Sequence, residues 1–172
     1  MTATAAKPPI SADPDHLTFH HGLRTALAAG LAYWFGQLLH LPGAYWAAIS
    51  SIIVMQSEVG ATVIASRDRF IGTAIGAIVG WLAALIWHDH VVVFALAVLA
   101  VIMFSTAIRF KNSGRLGGVT VAIIVLAPNS GPIWHVAIER FVEVSLGIVV
   151  SLGVMEGWTK TSTWLRLRAT RA

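Results

Sequence analysis

Six apolar runs divide the chain, at roughly 22–40, 43–57, 70–87, 91–108, 116–128 and 141–158, and polar residues collect between them. A bilayer span needs about 20 apolar residues, so this pattern predicts six transmembrane helices and leaves no length for a sizeable soluble domain. HLPG after the first run and HDH after the third are too short for anything but antiparallel helical hairpins. The first twenty residues hold Pro8, Pro9, Asp13, Pro14 and Asp15 and have no apolar core. They read as a disordered cytosolic tail rather than a cleaved signal peptide. Residues 159–172 read as a basic cytosolic tail, which leaves 21–158 as the membrane domain.

Composition supports the hydropathy pattern: 56% of the residues are hydrophobic and 12% charged, with a mean hydropathy of +0.74. A soluble domain carries about twice that share of charge. With no cysteine in the chain, a disulfide framework, a thiolate metal site and a cysteine nucleophile are excluded. His88-Asp89-His90 stands in a tight link with no third ligand near it in sequence, and no metal is assigned to it.

Charge orients the spans, since Lys and Arg favour the cytoplasmic face. With both termini inside, the inner segments hold Lys7, Arg24, Arg67, Arg69, Arg109, Lys111, Arg115, Lys160, Arg166, Arg168 and Arg171, and the outer links hold Arg140 alone. The basic pI of about 10.1 then follows from topology. The expected partners of the basic tail are anionic membrane lipids, not nucleic acid.

The phrase DRFIGTAIGAIVG at 68–80 has a relative in ERFVEVSLGIVVS at 139–151. An ungapped offset of 71 residues aligns Ile52, Ile53, Val54, Gly60, Arg69, Phe70, Gly76 and Val79 with Ile123, Ile124, Val125, Gly131, Arg140, Phe141, Gly147 and Val150. Each unit, about 21–90 and 91–158, holds three spans. Because three is odd, a direct repeat in sequence is an inverted repeat across the membrane, with Arg69 inside and Arg140 outside. Such repeats are a route to transporters whose sites lie near the midplane beside broken helices. The second and fifth runs are short and end in QSEVG from Gln56 and PNSGP from Pro128, the corresponding breaks in the two halves.

These residues resemble the fusaric-acid-resistance and aromatic-acid-exporter superfamily of integral membrane transporters, to which plant aluminium-activated malate transporters are distantly similar. Tyr45-Trp46-Ala47 resembles the family's YWA. Arg69, Gly72, Thr73 and Gly76 resemble its RxxGTxxG phrase, and Arg140, Glu143 and Gly147 its second RxxDxxxG phrase. The resemblance covers nearly all of the chain after residue 20 and implies export of small organic acids, aromatic carboxylates foremost. The chain lacks the second set of six spans and the large cytosolic domain of longer relatives, and a homodimer is the expected way to supply the missing half.

Site chemistry follows from the arginines. Each begins an apolar run and is expected at a helix N-terminus, where unpaired amides and the helix dipole favour anions. A guanidinium holds a carboxylate bidentately, an aromatic substrate ring has Tyr45, Trp46 or Trp81 to stack on, and Thr73 is a further candidate for substrate binding. The alternatives are that Arg69 is a cytosolic anchor paired with Asp68, and that Tyr45 and Trp46 belong to an interfacial belt. Glu143, three residues after Arg140, is an intramembrane carboxylate and so a candidate proton site or a structural partner of Arg140. Gly72, Gly76 and Gly80 form consecutive GxxxG spacings that admit a close backbone, from this chain or from a second copy; Gly147 is their counterpart in the second unit.

No GxxxxGK[ST], HExxH or GxSxG occurs, so neither an enzyme nor a cofactor is expected, and active transport requires an ion gradient or a partner subunit. Three readings stand: a secondary exporter of small organic anions in the plasma membrane, a passive anion channel, and a scaffold that transports nothing.

Overall fold

The computed structural model describes residues 14–126 and 132–169. Within them lie six helices and no strand: α1 (Pro14–Leu38), α2 (Ala44–Val54), α3 (Val59–Ile86), α4 (Val91–Ala107), α5 (Lys111–Leu126) and α6 (Ile133–Ala169). One helix per apolar run is present.

The boundaries correct three expectations. Helix α1 takes in residues 14–20, assigned above to a disordered tail, and it starts at Pro14, whose fixed φ and missing N–H suit the first helical position. Helix α6 carries on through Ala169, so residues 159–169 of the basic tail are helical. Helices α3 and α6 also begin well upstream of their apolar runs, and this moves both arginines into helix interiors. The PNSGP break, from Pro128 to Gly131, lies outside the described residues.

Only α3, with 28 residues, is by itself long and apolar enough to cross a bilayer among the described residues. Helix α4 (17 residues) and α2 (11 residues) are apolar but shorter. At about 1.5 Å per residue, α2 covers roughly half of a ~30 Å hydrocarbon core.

Packing inverts the pattern of a water-soluble protein. Ser50, Ser51, Thr73, Thr120, Ser151 and Glu143 are wholly buried or nearly so, whereas Leu85, Ile86, Ile78, Leu96, Val91 and Trp87 face outward. In water this surface is penalised; in lipid, the buried polar groups are the ones that need internal partners. Exterior and interior are those of a membrane protein.

Helix α3 packs most closely on α5, and α2 lies against α1 and α6. Glycine makes the first contact possible. A Cβ on Gly72 would strike the Ser113 carbonyl, and one on Gly76 the backbone of Gly117. The glycine face therefore meets a helix of its own chain. On the other side, Gly147 of α6 backs onto the Ala47 carbonyl and Ser50 of α2.

Two of the links close in the same way. After α1, the Leu41 N–H donates to the Gly36 carbonyl at 3.0 Å and the His40 N–H to that of Gln37 at 3.0 Å. After α4, the Phe110 N–H donates to the Ser105 carbonyl at 2.8 Å and the Arg109 N–H to that of Thr106 at 3.1 Å. His40 (φ 54°) and Arg109 (φ 67°) take the left-handed position that ends each helix.

Candidate functional site

The site is assembled around α2, which is short enough to end inside the bundle and is flanked by α3 and α6. Trp46 and Ser50, one turn apart on α2, meet the two arginines, and the two surroundings differ.

Arg140 stands about two turns into α6, with its side chain largely buried. Its Nη1 lies 2.9 Å from Oε2 of Glu143, an i,i+3 ion pair along the helix. Glu143, 0% exposed, also accepts a 2.7 Å hydrogen bond through Oε1 from the backbone N–H of Gly43, which immediately precedes α2. The Arg140 guanidinium lies over the Trp46 ring, 5.0 Å from its centroid. A cation facing an indole and a carboxylate together is compensated from two sides.

Arg69 stands almost three turns into α3 and is 1% exposed. Among the described residues its guanidinium makes one hydrogen bond, a long one from Nη2 to Oγ of Ser50 at 3.4 Å. Nε and Nη1 are buried with no hydrogen-bond partner among the described residues, as are Nε and Nη1 of Arg140 and Oε2 of Glu143; what Arg69 lacks and Arg140 has is a carboxylate within ion-pair distance. The neighbouring carboxylate of Asp68 points elsewhere and pairs with Arg67 at 3.5 Å, so the expected Asp68–Arg69 pair is not formed. Thr73 donates to the Arg69 carbonyl at 2.8 Å, one turn back along α3. Its hydroxyl is thereby committed to the helix rather than turned toward the guanidinium.

Neither arginine lies at a helix N-terminus. The amides around them are paired within α3 and α6, so the dipole-based attraction expected from sequence does not operate, and the guanidinium itself carries the positive charge. The remaining candidates divide. Trp46 joins Arg140 and Glu143. Tyr45 is 52% exposed, with its ring 5.4 Å from that of Trp46, and stands outside the buried cluster. Trp81 borders an apolar groove of about 460 Å³ between α3 and α6, together with Trp134 and Phe141. At this level the two Arg-Phe phrases meet, the Phe70 and Phe141 ring centroids lying 5.0 Å apart.

Sequence reasoning missed three participants. Gly43 supplies an N–H to Glu143 because a Cβ there would collide with that carboxylate, and only its place directly before the YWA phrase hints at it. Ser50 gives no signal in sequence. Arg24, counted above for topology alone, is buried and donates through Nη2 to the carbonyls of Gln56 (2.6 Å) and Ser57 (3.2 Å). It thereby satisfies the backbone where α2 breaks. The same break is closed from α3, where Thr62 Oγ1 accepts from the Gln56 N–H at 3.0 Å.

Fold and site together define an all-helical membrane-protein unit with buried cations at its centre. The chain belongs to the fusaric acid resistance protein-like family, whose model matches residues 31–154. The uncharacterized transporter YdhK of Salmonella typhimurium is 32% identical over 145 residues, which are 76% of this chain and 21% of that one. The uncharacterized transporter YdhK of Escherichia coli K12 is 31% identical over the same length. An uncharacterized protein of Synechocystis, slr1298, is 26% identical over 163 residues, covering 90% of this chain and 22% of its own. The chain thus spans about a fifth of the length of these relatives. No solved structure matches it.

Proposed function

We propose that this protein is a membrane transporter that exports small organic anions, aromatic carboxylates foremost, at the expense of an ion gradient. One observation carries the reading: a helical unit with an apolar exterior holds Arg69, Arg140 and Glu143 in its interior, about the short helix α2. Charges inside a membrane protein are costly, and they mark pathways for ions and charged substrates. The name shared by the two YdhK relatives supports transport, and family membership supports the acid class.

The architecture that goes with this reading is a pair of inverted three-helix repeats, with both termini cytoplasmic in a cell's inner membrane. Matching contacts support the pairing. Gly76 against Gly117 and Thr120 corresponds to Gly147 against Ala47 and Ser50, and Gly36 against Ala44 corresponds to Gly114 against Ser105. The links after α1 and α4 repeat the same hydrogen bonds. The register implied by these contacts is 69 residues between α1 and α4, 70 between α2 and α5, and 71 between α3 and α6, one residue being added per link; the ungapped alignment at an offset of 71 residues therefore fits α3 and α6, and its matches of Ile52, Ile53 and Val54 to Ile123, Ile124 and Val125 are out of register by one. Under this reading Glu143, paired with Arg140 while ionised, takes up the coupling proton and releases that arginine, and two copies form the working unit.

The test is uptake of labelled benzoate, salicylate and related acids into proteoliposomes, with and without an imposed pH gradient. Flux that rises with the gradient is the expected result. Flux that runs down the anion gradient irrespective of pH makes the protein a channel, and the absence of flux from folded, reconstituted protein overturns transport.

A further inference from the structure

The two arginines occupy corresponding positions in the Arg-Phe phrases, yet only one has a carboxylate. In α6 the residue three after the arginine is Glu143, which pairs with Arg140; in α3 the residue three after Arg69 is Gly72. Gly72 lies against Ser113 with no space for a side chain, so helix packing itself excludes an internal counter-ion at that point. The neighbouring acid, Asp68, is turned to Arg67. Nε and Nη1 are without a hydrogen-bond partner in both arginines, so the difference between them is the counter-ion: Arg140 has Glu143 at 2.9 Å, and Arg69, 1% exposed, has no carboxylate within ion-pair distance among the described residues.

A buried cation without a counter-ion is a strongly unfavourable arrangement, whereas one with a bidentate carboxylate is compensated. From this we infer that the two arginines have different tasks: Arg69 is the seat of the transported carboxylate, and Glu143 is a tethered carboxylate that occupies Arg140 and excludes substrate from it. One chain then binds one carboxylate, on the α3 side of α2, with Ser50 as the neighbouring hydroxyl. The Arg140–Glu143–Gly43 cluster is a closed latch joining α6 to the start of α2. The inference rests on the transport reading for its substrate class, and its geometry rests on the orphaned guanidinium.

Calorimetric titration of the detergent-solubilised full chain with 4-bromobenzoate, together with anomalous scattering from the bromine, tests the assignment. The expected results are one ligand per chain, bromine density beside Arg69, and at least tenfold weaker binding in Arg69→Gln. Glu143→Ala, which vacates the space at Arg140, is expected to raise the stoichiometry to two. The bromine position in the native chain keeps the test decisive if either variant fails to fold. No binding to the native chain, bromine beside Arg140, a lipid phosphate resident at Arg69, or a stoichiometry that stays at one in Glu143→Ala overturns the inference. Bromobenzoate at Arg69 without flux in proteoliposomes retains the seat and overturns transport, whereas undiminished flux in Arg69→Gln retains transport and overturns the seat.

Discussion

At the scale of single residues, the unequal treatment of Arg69 and Arg140 is the informative feature. Removing one member of a buried ion pair leaves an uncompensated charge, at a cost of about 3–5 kcal/mol, while replacing both members by apolar residues is often close to neutral. Glu143→Gln is therefore expected to lower the unfolding free energy by roughly that amount, and the double variant Arg140→Met/Glu143→Leu to recover most of it, as read by thermal unfolding in detergent. Equal losses in the single and double variants would show that Gly43 and Trp46, rather than the pairing of charges, account for the stability of the cluster. Arg24 makes a separate case. Its bonds to the Gln56 and Ser57 carbonyls are charge-assisted, and such bonds contribute about 1.5–3 kcal/mol each. Arg24→Met keeps the aliphatic stem and removes both bonds, and is expected to cost about 3–6 kcal/mol, with faster proteolysis at the α2–α3 break as the local readout. An unchanged cleavage rate would mean that Thr62 alone holds the break.

Between helices, glycine position decides which surfaces touch. Gly76 has the backbone of Gly117 where its Cβ would be, so Gly76→Val forces α3 and α5 apart. Overpacking of this kind costs about 1–3 kcal/mol. Gly30 and Gly153 are also helical but have nothing within 4 Å of an added Cβ. Replacing either by Ala is expected to stabilise the chain by roughly 0.5–1 kcal/mol, because glycine in a helix interior gives up more backbone freedom on folding. Measured together, the three variants separate packing from propensity. If all three shift the melting temperature in the same direction, the close approach of α3 and α5 is not what holds the glycine face together.

For the molecule as a whole, the exposed apolar surface and the buried charges make sense in one solvent, lipid. The absence of natural cysteines makes single-cysteine mapping direct. With both termini cytoplasmic, His88→Cys, in the α3–α4 link, is expected to react with a membrane-impermeant maleimide added outside intact cells. Lys111→Cys, at the start of α5, should react only after permeabilisation. The opposite pattern would turn the molecule over, placing Arg69 toward the outside.

Much of this organisation was legible in the amino-acid sequence. Hydropathy alone determined six helices and their order, because the contrast between apolar runs and polar links is a local property. The RxxG and YWA phrases carried the family for the same reason, being short strings with fixed spacing. Hydropathy did not reveal where the helices begin. The mixed stretches Val59 to Arg67 and Ile133 to Glu139 continue their helices as readily as uniformly apolar ones once their neighbours pack, and this displaced both arginines from the expected N-termini. Nor did sequence distinguish the two arginines. The Gly43 N–H on Glu143, the contact of Arg69 with Ser50 and the Arg24 contact to the α2–α3 break join residues far apart in the chain. Only the tertiary fold decides which buried charge finds a partner, because pairing depends on which backbones come close enough to bring those groups together.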